Sequence, residues 1–119
     1  MVNQDTEQYR TFLNNLQIEE QRPAALNEIK NLLIYKPEGN FLTTIRDVGI
    51  SKIVQCLNDP SDEAQVNLTC DVLKICFEKF DVGDVVKIYT AHFMYLLRHT
   101  RSCVRKLAIE EWRATPSRL

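Results

Sequence analysis

The chain has few of the residues that interrupt helices. Its 119 residues include only three glycines and four prolines, so apolar patterns continue over long stretches. Each glycine stands alone, which excludes a glycine-rich loop of the kind that holds phosphate groups. Apolar residues make up 45% and charged residues 26%, a balance typical of a folded chain and not of a disordered one.

The chain also lacks long apolar runs. No stretch approaches the roughly 18 residues of a membrane-spanning helix, and the polar start, Met1-Val2-Asn3-Gln4-Asp5, has no feature of a secretory signal. We therefore expect a soluble protein located in the cytoplasm, with the nucleus as a second location. In a reducing compartment the four cysteines are expected to stay free and to serve as small core residues: Cys56, Cys70, Cys76 and Cys103.

Apolar residues recur at helical spacing along the whole chain, and no segment alternates in the manner of a β-strand. A first helix is predicted over about 3–17, and Pro23 stands where the first turn of a second helix tolerates it. Breaks in the pattern predict helices that end near Tyr35, Leu57, Lys79 and His99. The fold class is therefore all-α.

Two expectations concern where helices are interrupted. Gly49 is expected to break the chain between a short helix over 41–45 and a second helix over 50–57. The final helix is expected to fade near Trp112, because Thr115-Pro116-Ser117 does not continue a helix. We accordingly assign residues 1–112 to one helical domain and residues 113–119 to an irregular tail.

The second half of the chain resembles the middle. Ile53-Val-Gln-Cys-Leu and the helix after it match Phe93-Met-Tyr-Leu-Leu and the helix after it, at an offset of about 40 residues. This is the period of armadillo and HEAT arrays, in which each helical pair buries one face on the next. The sequence therefore predicts stacked helical hairpins in an armadillo/HEAT-type superhelix.

The sequence offers little for catalysis or metal binding. His99 and Cys103 are four residues apart and His92 lies seven before His99, spacings that share a helical face. However, no Cys-x-x-Cys or His-x3-His pair completes a tetrahedral set, and no cysteine has the flanking residues of a known nucleophile. We expect no enzyme activity, no cofactor and no metal.

Charge is unevenly distributed. Residues 98–119 hold six cations against two carboxylates, although the net charge of the whole chain is −1. A basic end on an acidic body favours an oriented, charge-complementary contact, while a solvated helix face is the simpler explanation. A nucleic acid is the rival to a protein partner. It ranks second, because the isoelectric point is about 6.1 and no DNA- or RNA-binding motif is present.

Two passages resemble known helical repeats. Residues 46–57, Arg-Asp-Val-Gly-Ile-Ser-Lys-Ile-Val-Gln-Cys-Leu, resemble the armadillo passage in which a glycine separates a short helix from one that ends in leucine. Val104-Arg105 with Ala108 resembles the valine-arginine-alanine spacing of HEAT repeats. From about Gly49 to Glu111 the order of elements is similar to the N-terminal region of the 26S proteasome non-ATPase regulatory subunit 5 family.

This resemblance implies a chaperone. Members of that family are long helical-repeat proteins that hold the C-terminal domain of a proteasomal AAA-type ATPase subunit while the base of the regulatory particle assembles, and they leave before the particle matures. They are several times longer than this chain, which is therefore expected to be the N-terminal part of a longer array. No membrane partner is expected.

Two surfaces are the candidates for partner contact. The second helix of each pair commonly lines the concave surface of such arrays. We therefore expect contact through a polar stripe on the helix that ends near Lys79 and through its counterpart on the last helix: Asn67, Asp71, Lys74, Glu78, Arg101 and Arg105. The last helix is also expected to leave an apolar edge that self-associates, unless Trp112 folds back over it: Val104, Leu107, Ile109 and Trp112.

Overall fold

The structure, a computed structural model, describes residues 4–35, 39–59 and 61–118. Its elements, in chain order, are α1 (Gln4–Asn15), α2 (Arg22–Tyr35), α3 (Gly39–Thr44), a π-helical segment (Ile45–Gly49), α4 (Ile50–Gln55), a 3₁₀ turn (Cys56–Asn58), α5 (Glu63–Lys79), α6 (Val82–Leu97) and α7 (Ser102–Arg118). These described residues contain no β-strand. The all-α prediction is confirmed, whereas the armadillo/HEAT superhelix stays a prediction.

The predicted helix ends lie close to the observed ones. The observed ends are Tyr35 for α2, Asn58 for the 3₁₀ turn, Lys79 for α5 and Leu97 for α6. Pro23 is the second residue of α2, where its missing N–H leaves no helical bond unmade. Asp62 caps α5, because its Oδ1 accepts a hydrogen bond from the backbone N–H of Gln65 at 3.1 Å.

The chain divides into two compact units, Met1–Lys79 and Phe80–Leu119, and each is described by itself. We call them unit 1 and unit 2. The assignment of residues 1–112 to one domain stays a prediction.

Unit 1 is built around the packing of α5 against α2, with α1 and α4 closing the core. Fully buried side chains of its helices include Leu13, Leu26, Ile29, Phe41, Ile53 and Leu73. Each large aliphatic side chain removed from water stabilises the fold by about 1.5–3 kcal/mol. The rings of Tyr9 and Phe41 pack with their centroids 4.7 Å apart, which joins α1 to α3.

Gly49 does not break the chain, contrary to expectation. The backbone is helical from Gly39 to Asn58, and Gly49 has helical dihedrals, φ −85° and ψ −37°. The backbone N–H of Ile50 donates to the carbonyl of Ile45, the five-residue step of a π-helix. A Cβ on Gly49 would lie 3.1 Å from side-chain carbons of both Leu13 and Ile45. The glycine therefore permits close packing on α1, and it does not end a helix.

The last helix does not end near Trp112. α7 continues to Arg118, so the tail that we expected to be irregular over 113–119 is helical as far as Arg118. Pro116 lies in the last turn of α7. It lacks one backbone hydrogen bond, but few helical residues follow it, so the loss disrupts little of the helix. Thr115 Oγ1 donates to the carbonyl of Glu111 at 2.7 Å within the same stretch.

Unit 2 is the helical hairpin of α6 and α7. Its core side chains include Val85, Tyr89, Leu96, Val104, Leu107 and Ala108. Tyr89 donates its hydroxyl to the carbonyl of Ala108 at 2.8 Å, a buried link between the two helices. Across the residues that the structure describes, no helix is both long enough and apolar enough to cross a membrane.

Candidate functional site

The predicted polar stripe of α5 is exposed. Its members are spaced by four, three and four residues, which places them on one side of the helix: Asn67, Asp71, Lys74 and Glu78. The opposite side of α5 is buried and includes Thr69, Val72, Leu73 and Cys76. Thr69 satisfies its buried hydroxyl by donating to the carbonyl of Gln65 at 2.8 Å. α5 therefore presents a polar side to solvent, as the spacing predicted.

Asp71 is engaged within unit 1. Its Oδ2 lies 3.6 Å from Nζ of Lys30, so the carboxylate pairs with α2 across the helix interface. Because both groups are partly exposed, this ion pair contributes at most about 1 kcal/mol to stability. A partner that used Asp71 would compete with Lys30 for it.

Arg105 is also engaged within its own unit. Its Nη1 donates to the carbonyls of His99 at 2.7 Å and Thr100 at 2.8 Å. These carbonyls follow the end of α6, where backbone oxygens lack helical donors and a cation is electrostatically favoured. Arg105 therefore stabilises the turn between α6 and α7. The spacing of charges along the sequence did not indicate this role.

Arg101 belongs to the same turn. Its backbone N–H donates to Nδ1 of His99 at 3.0 Å, and its side chain is half-buried. The predicted contact residues thus fall into two sets: the stripe lies in unit 1, and Arg101 with Arg105 lies in unit 2. We therefore consider each set within its own unit.

Unit 2 carries an exposed apolar surface. Trp112 is 61% exposed and Ile109 is 42% exposed, and the two residues lie three positions apart on one side of α7. The ring of Phe93 stacks on Trp112, with centroids 5.5 Å apart and planes 24° apart, and Phe93 also packs on Tyr89 at 4.8 Å. We call the surface formed by Phe93, Ile109 and Trp112 the α6–α7 apolar face.

The α6–α7 apolar face corrects the apolar edge that the sequence predicted. Val104 is fully buried and Leu107 nearly so, because both point into the hairpin core. Ile109 and Trp112 are exposed as expected. Trp112 stacks on Phe93 but remains mostly accessible, so it does not seal the surface. Phe93 was predicted as part of the apolar side of α6, and its contact with Trp112 was not predicted.

A polar cavity opens on unit 1. It has a volume of about 360 Å³ and is lined by Leu16, Gln17, Arg22, Lys52, Gln55, Cys56, Asn58 and Asp59. Nε of Arg22 donates to the carbonyl of Leu16 at 2.7 Å, beyond the end of α1, where a cation offsets the negative end of the helix. Ser61 donates to Asp59 Oδ1 through its hydroxyl at 2.6 Å and its N–H at 3.1 Å, which lowers the pKa of that carboxyl. Arg22 and Asp59 are therefore both engaged within unit 1.

Two of the four cysteines, Cys56 and Cys76, are buried. Burial raises the pKa of the Cys56 thiol to about 11 and that of Cys76 to about 12, so both stay protonated at neutral pH. Burial also lowers the pKa of His92. Nδ1 of His99 is already occupied by the N–H of Arg101. Within the described part of the chain, no three His, Cys, Asp or Glu side chains come together as a metal-binding group.

Comparisons of the chain with models of protein families, with curated proteins and with solved structures give no significant match.

Proposed function

We propose that this chain is a protein-binding helical scaffold. The observation that carries the proposal is the α6–α7 apolar face, on which Trp112 and Ile109 are exposed three residues apart on α7. Exposed apolar surface of this kind mostly marks an interaction site, and Trp is enriched where proteins meet. The stacking of Phe93 on Trp112 supports an anchor role, because it restricts the tryptophan before any partner arrives.

In its finer form the proposal follows the resemblance to the 26S proteasome non-ATPase regulatory subunit 5 family. The chain would be a cytoplasmic armadillo/HEAT-type stack of hairpins that binds the C-terminal domain of a proteasomal AAA-type ATPase subunit as an assembly chaperone. The hairpin of unit 2 and the exposed polar side of α5 support this form, since both are elements of a helical-repeat protein.

The test uses the whole chain and the purified C-terminal domains of the proteasomal ATPase subunits. We expect calorimetric titration to detect binding to at least one of these domains. Ile109→Glu should weaken that binding at least tenfold, because a charge then enters an apolar contact. Ile34→Glu is the matched control, since Ile34 is 43% exposed but lies in unit 1. No binding to any domain would refute the proteasomal form of the proposal.

The α5 stripe needs a variant that leaves structural contacts intact. Reversing Asp71 or Arg105 is unsuitable, because these residues hold Lys30 and the α6–α7 turn. Lys74→Glu combined with Glu78→Lys exchanges two exposed charges and keeps the net charge. If the stripe contacts the partner, this variant should weaken binding while the thermal midpoint stays within about 2 °C of the parent. Unchanged binding would exclude these two residues from the contact.

A nucleic-acid-associated adaptor that uses the basic last helix is the alternative. It is favoured by the composition of unit 2, in which residues 80–119 hold seven Lys and Arg against four Asp and Glu, a net charge of +3. Binding to an oligonucleotide that falls steeply as salt rises would support this alternative. Binding to a protein domain that persists after nuclease treatment would oppose it.

A further inference from the structure

The polar cavity on unit 1 has a wall in which cations outnumber carboxylates. The wall is formed by the turn after α1, the first residue of α2, α4, the 3₁₀ turn and the residue that follows it. Its described lining residues include two cations, Arg22 and Lys52, and one carboxylate, Asp59, which leaves a net charge of +1. The cavity lies within unit 1, so its ligand is independent of any partner of the α6–α7 apolar face.

The guanidinium of Arg22 is held at this cavity by one of its nitrogens. Its Nε donates to the carbonyl of Leu16, a lining residue, at 2.7 Å. Burial raises the pKa of the Cys56 thiol and the charge of Arg22 opposes that shift, so the guanidinium lies near a second lining residue. Within the described residues, the two Nη atoms make no hydrogen bond or ion pair. Four N–H donors of Arg22 therefore stay available.

Lys52 supplies the second cation. Its side chain is half-buried, yet its ammonium group makes no hydrogen bond or ion pair with the part of the chain that the structure describes. Lys52 also lines a second cavity of about 200 Å³, together with Arg10, Leu13, Asn14 and Val48. The two cavities adjoin at Lys52, and Arg10 adds a third cation on its far side. The positive charge therefore belongs to the cavity walls themselves.

The wall is held in place by contacts within unit 1. The backbone N–H of Arg22 donates to the carbonyl of Ile18 at 2.9 Å, which fixes the start of α2 beside the cavity. Oδ1 of Asp59 accepts from the hydroxyl and the N–H of Ser61, so part of the negative charge in the wall is already offset. A site that is formed before its ligand arrives loses little entropy on binding.

The ligand chemistry that fits this cavity is a small organic anion. A guanidinium binds carboxylate or phosphate through paired N–H donors, and a lysine adds a point charge. Side-chain amides of Gln17, Gln55 and Asn58 line the same cavity and are suited to the hydroxyl groups of a ligand. The volume of about 360 Å³ lies in the range of small-molecule sites, about 300–1,000 Å³. We infer that the cavity binds a small hydroxylated anion whose phosphate or carboxylate group lies between Arg22 and Lys52.

Calorimetric titration of the whole chain with three matched probes tests this inference. The probes are ribose 5-phosphate, gluconate and uncharged ribose. We expect saturable binding of at least one of the two anions and none of ribose, with an affinity that falls as salt rises from about 50 to about 500 mM. The stronger of the two anions identifies the group that the site prefers.

Variants locate the binding. Lys52→Gln should weaken the anion at least about tenfold, and so should Arg22→Lys, which keeps the charge and loses the paired donors. Lys74→Gln is the matched control, because it removes one positive charge from an exposed position of unit 1 outside the cavity lining. Circular dichroism should show parent-like helix content for Lys52→Gln, whose ammonium makes no contact with the described residues. This variant separates lost binding from lost fold, even if Arg22→Lys disturbs the contact with Leu16.

Four outcomes would overturn the inference. They are no saturable binding of either anion, equal binding of ribose, an affinity that Lys52→Gln leaves unchanged or Lys74→Gln lowers as much, and tighter binding of a short polyglutamate peptide than of both small anions. The last outcome would assign the cavity to an acidic segment of a protein. Failure here is separable from failure of the proposed function, because that function is tested on the α6–α7 apolar face of unit 2.

Discussion

Two glycines in helical backbone should respond to the same substitution with opposite signs. In an ordinary helix, alanine is favoured over glycine by about 1 kcal/mol. At Gly49, however, the new Cβ would lie 3.1 Å from buried carbons of Leu13 and Ile45, and overpacking of this kind costs about 1–3 kcal/mol. At Gly83 nothing lies within 4 Å of the added Cβ. We expect Gly49→Ala to destabilise by about 1 kcal/mol and Gly83→Ala to stabilise by about 0.5 kcal/mol.

Urea denaturation followed by far-ultraviolet circular dichroism measures both changes. With a slope of about 1–3 kcal/mol per molar urea, the midpoints of the two variants should differ by about 0.5–1.5 M, with unchanged slopes. Leu13→Ala should cost less in the Gly49→Ala background than in the parent, because it removes one of the two crowded carbons. If Gly49→Ala raised the midpoint as Gly83→Ala does, the close approach of α1 would not constrain residue 49, and our reasoning would be wrong.

Three further expectations concern single groups. Tyr89→Phe should lower the free energy of unfolding by about 1 kcal/mol, because it leaves the buried carbonyl of Ala108 without the tyrosine donor; an unchanged urea midpoint would contradict this. Asp62→Ala should cost about 1 kcal/mol and Asp62→Asn much less, since asparagine also accepts from the Gln65 N–H; equal midpoints for the two would exclude the cap. The free energy of unfolding should fall as the pH rises from about 9 to about 12. The folded pKa values of Cys56, Cys76 and Tyr89 are about 11, 12 and 12, above the ordinary 9.0 and 10.0, so the unfolded chain loses these protons first; stability that is flat over this interval would refute the assignment.

The fold class and most helix ends could be predicted because they depend on local chemistry. The apolar period of each helix, the cap at Asp62 and the place of Pro23 are all visible in neighbouring residues. Gly49 was misjudged because its role depends on Leu13, which is 36 positions earlier and contacts it only in the folded chain. The end of α7 was misjudged because a proline weakens a helix without always ending it.

The candidate surfaces were predictable in part for the same reason. Helical spacing correctly placed the α5 stripe in solvent. It did not show that Asp71 meets Lys30 or that Arg105 binds the carbonyls beyond α6, because such contacts join residues of separate helices or turns. Periodicity also failed to separate the buried Val104 from the exposed Ile109, since both were predicted to form the apolar edge of the last helix. A pattern predicts which side of a helix is apolar, and the packing decides how much of that side is covered.

The π-helical segment affects how the helical stretch from Gly39 to Asn58 can change in length. A π-turn holds one residue more than an α-turn, so residues 45–49 accommodate an extra residue that a plain α-helix would not have. Ile45 and Ile50 are buried on the same side despite a spacing of five. Removal of one exposed residue between them, Asp47 or Val48, would restore a spacing of four and leave both isoleucines facing the core. Deletion of one residue from the middle of α5 would instead rotate half of its buried side chains by about 100° into solvent. Related chains that differ in length by one residue should therefore differ at this segment before they differ in α5.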